Sequence, residues 1–235
     1  KPKEIIIIDD YSDIPLDENL VNLNCRVIRN TRNMGRGFSR NLAIKECRSE
    51  FVVFCDSSNS LCANFIEKAL ISFENTELSA IFGRIIGNEH HTGACFKWRE
   101  RNLFLETDPN ANVPYEVFSL STYGVMIRRS HVLEVGNFNS QLRQYEDHAL
   151  GNKLIKRGYQ IFFDPNLFCI SNRLDNIFQL AKRVDRWYSP TSESLNLKSF
   201  ISLMKTSLFI WIKRDVNSRD YNGIIISLLI PFLII

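Results

Sequence analysis

Carboxylates follow two short apolar runs of the sequence. Residues 51–55 are apolar throughout and end at Asp56, and residues 5–8 end at Asp9 and Asp10. Short runs that are apolar on both faces are typical of buried strands in a parallel sheet, and ligands bind beyond the carboxyl ends of such strands. A carboxylate buried there needs a metal, a hydroxyl or a backbone amide as its partner. Asp56 is therefore predicted either to hold a ligand or to form a turn, which Asp-Ser-Ser-Asn also favours.

A third acidic pair, Glu146 and Asp147, opens a helical pattern that ends at Gly158. Acids in a first helical turn interact favourably with the helix dipole, so capping is the alternative to a chemical role. Arginines and asparagines lie at a loop–helix junction between the acidic segments: Arg32, Asn33, Arg36, Arg40 and Asn41. A helix N-terminus with arginines can bind an anion. Acids that hold hydroxyls, beside a site for a diphosphate, suit a nucleotide sugar.

The amino-acid composition limits the classes of protein to which this chain can belong. The chain has 235 residues, 45% hydrophobic and 23% charged, which is ordinary for a globular protein with a sizeable core. A net charge of +3 gives no support to nucleic-acid binding. None of the six cysteines lies in a CxxC spacing, so zinc is not predicted, and reduced thiols in a cytosolic compartment are expected.

The order of predicted elements is strand, strand, helix, strand, helix, which is typical of an α/β layer fold. The spacing predicts helices over 38–48, 61–73, 96–106 and 174–188, and strands over 25–28, 78–86, 121–127 and 159–163. The Asp164-Pro165 pair is predicted to end the last of these strands. Gly35-Arg36-Gly37 does not continue as a dinucleotide fingerprint, because Arg40 stands at the third glycine position.

The C-terminal region is strongly apolar over 197–212, carries Lys213, Arg214 and Arg219, and is apolar again over 223–235. A bilayer-spanning helix needs about 20 residues, so this last run is too short by itself. It is expected to be either a buried helix or the start of a membrane segment with a basic cytoplasmic flank. The second alternative predicts a protein at the cytoplasmic face of the inner or plasma membrane. The opening of the chain directly in a strand predicts that a first strand is missing.

Three segments, in order, resemble family 2 glycosyltransferases. Residues 5–13, IIIIDDYSD, are similar to the VVDDGSTD strand of that family. Residues 33–61 resemble its N-x-G-x-x-x-A-R-N segment, followed by a strand and a D-x-D motif. Residues 123–163 resemble the acceptor-side segment with a Glu-Asp pair and a Gly-Tyr strand. Each segment is a weak signal, whereas the ordered set is strongly specific.

The resemblance implies a GT-A fold, with a Rossmann-like, mostly parallel central sheet flanked by helices over residues 1–190 and a helical, membrane-associated tail over 191–235. It implies transfer of a sugar, with inversion, from a UDP- or GDP-type nucleotide-diphospho-sugar to a saccharide or lipid-linked acceptor. Surface polysaccharide or glycolipid synthesis is the expected setting. A sugar nucleotidyltransferase shares the layer architecture but is disfavoured by the Glu-Asp helix.

The resemblance also implies roles for particular residues. Asp9 and Asp10 would bind the nucleobase or ribose, and Asn33 and Arg40 would line the nucleotide pocket. Asp56 would hold the ribose and a divalent metal, Mn²⁺ or Mg²⁺. Asp147, in a pair with Glu146, would be the general base that deprotonates the acceptor hydroxyl.

Two departures from the family pattern concern the metal. Ser58 stands at the second acid of D-x-D, where a hydroxyl is a weaker ligand for a hard cation than a carboxylate. Residues 168–172 contain no histidine, which the family often uses as a further ligand. Three alternatives remain: Asp56 and diphosphate oxygens hold the metal, an arginine substitutes for it, or the protein is a catalytically silent nucleotide-sugar binder.

Residues 182–187 are similar to the Q-x-x-R-W motif of processive members, with Arg183 at the glutamine position. Arg186 would contact the diphosphate and Trp187 the acceptor sugar. The alternative is an amphipathic helix with exposed arginines and one buried tryptophan, so the motif does not establish processivity.

Overall fold

The structure, a computed structural model, describes residues 2–16, 25–88, 93–104, 111–188 and 197–234. The chain forms two compact units. The larger comprises residues 1–57, 61–84 and 110–169, and the smaller comprises 58–60, 85–109 and 170–235. The domain boundary predicted between residues 190 and 191 lies outside the described residues.

The described helices and strands alternate through most of the chain. In chain order they are β1 (Ile5–Asp9), β2 (Cys25–Arg29), α1 (Arg36–Glu46), β3 (Phe51–Cys55), β4 (Asn59–Leu61), α2 (Phe65–Ser72), β5 (Leu78–Gly87), α3 (Ala94–Leu103), β6 (Tyr115–Glu116), β7 (Gly124–Arg128), α4 (Arg129–Glu134), α5 (Glu146–Lys156), β8 (Gln160–Ser171), α6 (Ile177–Tyr188), α7 (Leu197–Thr206), a π-helical segment (Ser207–Trp211), α8 (Ile212–Asn217) and α9 (Tyr221–Leu233). The predicted α/β class is therefore confirmed.

The main sheet is mixed, and the prediction of a mostly parallel sheet is wrong for it. Its strand order is β3-β7-β5-β8-β4, with β6 beside β8. Strand β7 is antiparallel to both β3 and β5, and β6 is antiparallel to β8. Strands β1 and β2 form a separate parallel pair in which Ile5 lies opposite Cys25.

Strand β3 lies at one end of the described strand order, not at its centre. Val52 and Phe54 are buried in one hydrophobic cluster, whereas Phe51 and Val53 are partly covered and pack against a second cluster. Both faces of the strand therefore meet apolar side chains, as the unbroken apolar run indicates. The place of the strand in the sheet depends instead on its hydrogen-bonded neighbours, which the apolar run does not specify.

Helix α1 begins after Gly35, whose φ of 90° lies in the left-handed region that a glycine tolerates best. Two residues later, a Cβ on Gly37 would lie 2.8 Å from the backbone oxygen of Asn139, so the helix approaches that segment more closely than a side chain permits. Ile44 near the end of the helix is fully buried in the core of the larger unit. These contacts determine where the helix, and the arginine it carries, can lie.

Strand β8 continues through Asp164 and Pro165, where the sequence predicted a stop. The Asp164 side chain is buried, and its Oδ1 accepts the N–H of Asn166 at 2.8 Å. A proline cannot donate to a ladder, so it is tolerated in a strand only where no donor is required. The carboxylate beside it satisfies a neighbouring backbone donor, and the strand extends to Ser171.

The smaller unit contains α3 and the C-terminal helices. Trp98 and Trp211 pack edge to face in its core, with ring centroids 4.9 Å apart. Buried Asp215 accepts hydrogen bonds from Arg101 Nε at 2.7 Å, Asn102 Nδ2 at 3.1 Å and Ser227 Oγ at 2.6 Å. In the part of the chain that the structure describes, no helix combines the length and the apolar character required to cross a membrane.

Candidate functional site

Asp10 holds the loop that leads into α1. Its Oδ1 accepts hydrogen bonds from Met34 N at 2.8 Å and Asn30 Nδ2 at 2.7 Å, and its Oδ2 accepts one from Gly35 N at 2.8 Å. Asn30 Nδ2 also lies 3.1 Å from Ser39 Oγ within the helix. Both carboxylate oxygens at the tip of β1 are thus engaged in positioning the helix start. The predicted contact of Asp10 with a nucleobase stays a prediction.

Asp9 is buried and forms an ion pair with Arg29, which follows from the parallel pairing that sets the two residues opposite each other. Its Oδ1 also accepts the N–H of Ser12 at 2.9 Å. The hydrogen bonds from Ser12, together with the Arg29 charge, hold the pKa of Asp9 below 3.8. Asp9 is therefore ionised at neutral pH, at the end of β1.

Arg40 joins two of the predicted acidic groups. Its Nη1 donates to Glu146 Oε1 at 2.6 Å, and its Nη2 lies 3.3 Å from Asp56 Oδ1. The guanidinium also lies over the Phe138 ring, 5.7 Å from the centroid. The Arg40 and Glu146 side chains are only 11% and 3% exposed, whereas Asp56 is 47% exposed. The arginine thus couples a buried acid to one that is accessible to a ligand.

Asp147 lies next to this pair at the start of α5. Its Oδ1 accepts the His148 N–H at 2.8 Å, and its Oδ2 lies 3.4 Å from Thr122 Oγ1. Burial and the neighbouring negative charge of Glu146 raise the pKa of Asp147 above 3.8, partly offset by the His148 N–H and by Arg40. A raised pKa suits a general base, since the most effective catalytic pKa lies near the working pH.

Backbone contacts bring these elements together. Asp56 N donates to Tyr123 O at 3.3 Å, so the tip of β3 lies beside the segment that carries Thr122. Asn41 and Phe138 exchange two hydrogen bonds of 2.9 and 3.0 Å, which tie α1 to the segment before α5. The larger unit therefore gathers Asp56, Arg40, Glu146 and Asp147 in one place.

The structure adds three residues that sequence reasoning missed: Thr122, Phe138 and Arg143. Arg143 Nη1 donates to Asn33 Oδ1 at 2.8 Å, so the predicted nucleotide-pocket asparagine is held by an arginine from a distant part of the chain. No local signal marks Thr122 or Arg143, because their partners lie 25 and 110 positions away in the sequence. Phe138 lies in the family-like segment 123–163, but its side chain has no polar or ionisable group that would indicate a role in the site.

The remaining predicted site residues belong to the smaller unit. Ser58 O accepts the Asn172 N–H at 2.8 Å. Arg186 is exposed on α6, where its Nε donates to Lys182 O at 3.3 Å. The side chain of Trp187 lies outside the described part of the structure.

The donor set for a divalent metal is incomplete among the described residues. No group of three His, Cys, Asp or Glu side chains there could hold a metal ion. Asp56, the one carboxylate of the predicted metal pair, already lies against Arg40. A divalent cation typically takes six or more oxygen ligands, most often from carboxylates, carbonyls and water. The residues that the structure describes do not by themselves fit the predicted Mn²⁺ or Mg²⁺.

Several glycosyltransferases are similar to this chain in sequence or in fold. The poly-β-1,6-N-acetyl-D-glucosamine synthase of Staphylococcus aureus is 26% identical over 218 residues, 88% of this chain and 52% of the relative. The pre-mycofactocin glycosyltransferase of Mycobacterium tuberculosis is 22% identical over 171 residues, 68% of this chain and 36% of the relative. The chain thus spans about a third to a half of the length of these relatives.

A solved structure, that of GalNAc-T7 with UDP, GalNAc and Mn²⁺, superposes with a TM-score of 0.58 at 15% identity, covering 93% of this chain and 47% of the other. This likeness supports a GT-A-like fold. The family described as glycosyl transferase family 2 matches residues 1–136, more than half of the 235. The expectation from the ordered motifs is confirmed, and the chain belongs to glycosyl transferase family 2.

Proposed function

We propose that this chain transfers a sugar from a nucleotide-diphospho-sugar to a hydroxyl acceptor, with inversion at the anomeric carbon. The observation that carries the proposal is the arrangement of Asp147, a partly buried carboxylate of raised pKa, beside the Glu146–Arg40–Asp56 chain. A direct displacement requires a base that takes up the acceptor proton, and Asp147 supplies one, while Asp56 is the carboxylate of this group that a donor can reach.

In the proposed reaction, the acceptor oxygen attacks the anomeric carbon while its proton passes to the Asp147 carboxylate. The bond from that carbon to the diphosphate oxygen breaks, and the nucleoside diphosphate leaves with the electron pair. Attack from the face opposite the leaving group inverts the configuration. A positioned base of this kind contributes about 10²–10⁴-fold to the rate.

Arg40 and Thr122 are positioning residues in this scheme. Arg40 forms an ion pair with buried Glu146 and contacts Asp56, which is exposed. Thr122 Oγ1 lies near Asp147 Oδ2 and leaves the other oxygen to the backbone of α5. The base is thereby restrained at both oxygens before an acceptor arrives.

On the donor side, we assign the nucleotide to Asp9, Asp10, Asn33, Arg40 and Asp56, as the family resemblance implies. UDP in the GalNAc-T7 structure supports a nucleoside-diphosphate donor. The Mn²⁺ in that structure supports a divalent metal as a partner of the donor. When bound, such an ion would neutralise the charge of the departing diphosphate.

On the acceptor side, we assign Arg186 to the diphosphate and Trp187 to the acceptor sugar, with a saccharide or lipid-linked acceptor. The likeness to a poly-β-1,6-N-acetyl-D-glucosamine synthase supports surface polysaccharide or glycolipid synthesis. We also propose attachment to the cytoplasmic face of a membrane through the C-terminal region. Exposed apolar side chains on the C-terminal helices, such as Phe209 and Phe232, support this. Fractionation of the full-length protein as soluble would contradict it.

Replacement of the base tests the reaction. Asp147→Asn keeps the shape of the side chain but cannot take up the acceptor proton, so turnover should fall by about 10²-fold or more. Calorimetric binding of a nucleoside diphosphate should be retained. Glu67→Gln, on the exposed surface of α2, is the matched carboxyl-to-amide control and should leave both quantities unchanged. NMR of the product should report the inverted anomer.

A silent nucleotide-sugar binder is the second candidate, favoured by Ser58 and by the incomplete metal donor set of the described residues. It predicts that the wild-type chain binds nucleotide without turnover and that Asp147→Asn changes neither. Measured transfer by the wild type that is lost in Asp147→Asn would exclude it. Retained transfer in that variant would instead refute the assignment of the base.

A further inference from the structure

Three arginines of the smaller unit converge on one carboxylate, Asp175, just before α6. Arg99 Nη1 lies 2.8 Å from Asp175 Oδ2, and Arg173 Nε lies 2.9 Å from Oδ1. Arg183, in the second turn of α6, contacts the same carboxylate at 3.1 Å. Neither the metal prediction nor the proposed reaction uses this cluster.

The cluster carries more positive charge than its partner balances. Among the described residues, Asp175 is the only carboxylate within ion-pair distance of the three guanidinium groups. The Asp175 and Arg99 side chains are 1% and 2% exposed, so this pair alone would neutralise the buried acid. Arg173 and Arg183 therefore add two positive charges that no described acid balances. A structural tether between α3 and α6 would need only the first arginine.

The excess charge has an energetic cost. Burial, together with the positive charges of Arg173, Arg99 and Arg186, lowers the pKa of Arg183 to about 10 despite the attraction of Asp175. A bound anion would relieve this repulsion. Groups perturbed in this way by burial and like charges are concentrated at functional sites.

Arg99 forms a rigid base for the cluster. Its Nη2 donates to Ser171 Oγ at 2.9 Å, and its guanidinium lies over the Phe96 and Phe104 rings, 5.2 and 5.4 Å from their centroids. Arg99 Nε is buried without a hydrogen-bond partner among the described residues. Because Arg99 holds the Asp175 carboxylate, that carboxylate in turn positions Arg173 and Arg183 before a ligand binds.

Arg173 is the accessible member. Its side chain is 45% exposed, and it contacts Asp175 through Nε. Its two terminal nitrogens make no hydrogen bond to the described residues and present the planar fork that binds phosphate oxygens in pairs. Arg183, 14% exposed, lies beside it on the same carboxylate.

We propose that Arg173 and Arg183, held on Asp175, form an anion site that binds the oxygens of a phosphate or diphosphate group. The site stands whether or not the chain transfers sugar, so it goes beyond the proposed function. Two kinds of ligand present such phosphate oxygens: the diphosphate of a nucleotide and the headgroup of an anionic lipid.

The local connections of the segment favour the nucleotide source, and that part of the inference rests on the proposed function. Asn172, immediately before Arg173, donates through its backbone to Ser58 O at 2.8 Å and through Nδ2 to Ser60 Oγ at 2.9 Å. Ser58 is the residue that stands where the family pattern has its second metal-binding acid. The arginine-bearing segment is thus tied to the position at which a metal ligand is missing.

Binding measurements without metal test the site. Inorganic pyrophosphate, UDP, and vesicles of phosphatidylcholine with or without phosphatidylglycerol are titrated in buffer passed over a chelating resin. The wild type is compared with Arg173→Gln and Arg173→Lys, and Arg48→Gln is the matched control because Arg48 is exposed in the larger unit. Thermal unfolding verifies that each variant is folded.

Loss of one charge-assisted pair should weaken pyrophosphate binding about tenfold in Arg173→Gln. The pyrophosphate affinity of Arg173→Lys should lie between those of the wild type and Arg173→Gln, since lysine keeps the charge but not the planar fork. The control should bind as the wild type does, and added salt should weaken binding in all folded forms. A parallel loss for UDP supports the nucleotide source, and a loss confined to phosphatidylglycerol vesicles supports the lipid source.

Two results would overturn the proposal: no binding of any probe by the wild type, or equal binding of every probe by the wild type and a folded Arg173→Gln. Failure of the proposed function gives a different pattern. In that case pyrophosphate binding depends on Arg173, while Asp147→Asn has no effect because no transfer occurs in either form.

Discussion

Removal of the Arg40 charge is expected to affect both the stability of the larger unit and the pH dependence of transfer. Arg40→Met keeps a long apolar stem but leaves Glu146, whose side chain is 3% exposed, without its cation at 2.6 Å. Removing one partner of a buried ion pair costs about 3 kcal/mol or more of unfolding free energy. The contact with Asp56 adds little, because that carboxylate is 47% exposed and screened by solvent.

The same change acts on the proposed base. The positive charge of Arg40 partly offsets the effects that raise the pKa of Asp147. Without that charge the pKa of Asp147 should rise further, so the base loses its proton only at higher pH. Because transfer requires the deprotonated carboxylate, the acidic limb of the kcat/KM profile should move to higher pH in Arg40→Met.

Two assays measure these effects: denaturant unfolding for the free energy, and the pH dependence of sugar transfer for the base. Arg26→Met is the matched control, since Arg26 forms a 2.7 Å pair with Glu46 in which the side chains are 49% and 31% exposed. That change should cost about 0–1 kcal/mol and leave the pH profile unmoved. Equal unfolding free energies for the two variants, or an acidic limb that moves to lower pH, would refute the reasoning.

Two further substitutions test the packing that positions the site and the smaller unit. Gly37→Ala places a Cβ 2.8 Å from the backbone oxygen of Asn139 and should lower the unfolding free energy by about 1–3 kcal/mol, whereas Gly93→Ala, with no atom within 4 Å of its Cβ, should be nearly neutral by the same denaturant assay. Asp215→Asn removes the buried charge that accepts three hydrogen bonds and should cost about 3 kcal/mol. An unfolding curve that matches that of Glu67→Gln would contradict this second expectation.

Local patterns were sufficient for most elements of the larger unit. The helical spacing over 38–48 corresponds to α1 at Arg36–Glu46, and the apolar run at 51–55 corresponds to β3. Both signals depend on residues close together in the chain, so the periodicity of burial is visible in the sequence itself. The acid that follows β3 was recognisable for the same reason, because the apolar run ends there abruptly.

Strand direction and neighbours were not predictable in this way. Strand β7 is antiparallel to both β3 and β5, but the sequences of these strands do not indicate it, since the choice of partner depends on how distant segments meet. The passage of β8 through Pro165 depends on the Asp164 carboxylate, which supplies a local acceptor that the composition alone does not reveal. A proline after an aspartate is more often the end of a strand.

The sequence by itself determined the α/β class, the family, and which acids and arginines are available for chemistry, because these follow from residue type, order and local spacing. Only the tertiary structure decided how they are paired. Arg40 meets Glu146 across 106 positions of sequence, and Arg99 meets Asp175 across 76. Such pairs depend on which surfaces pack together, and it is this packing, through burial and neighbouring charge, that raises the pKa of Asp147 and leaves the Asp175 cluster with excess positive charge.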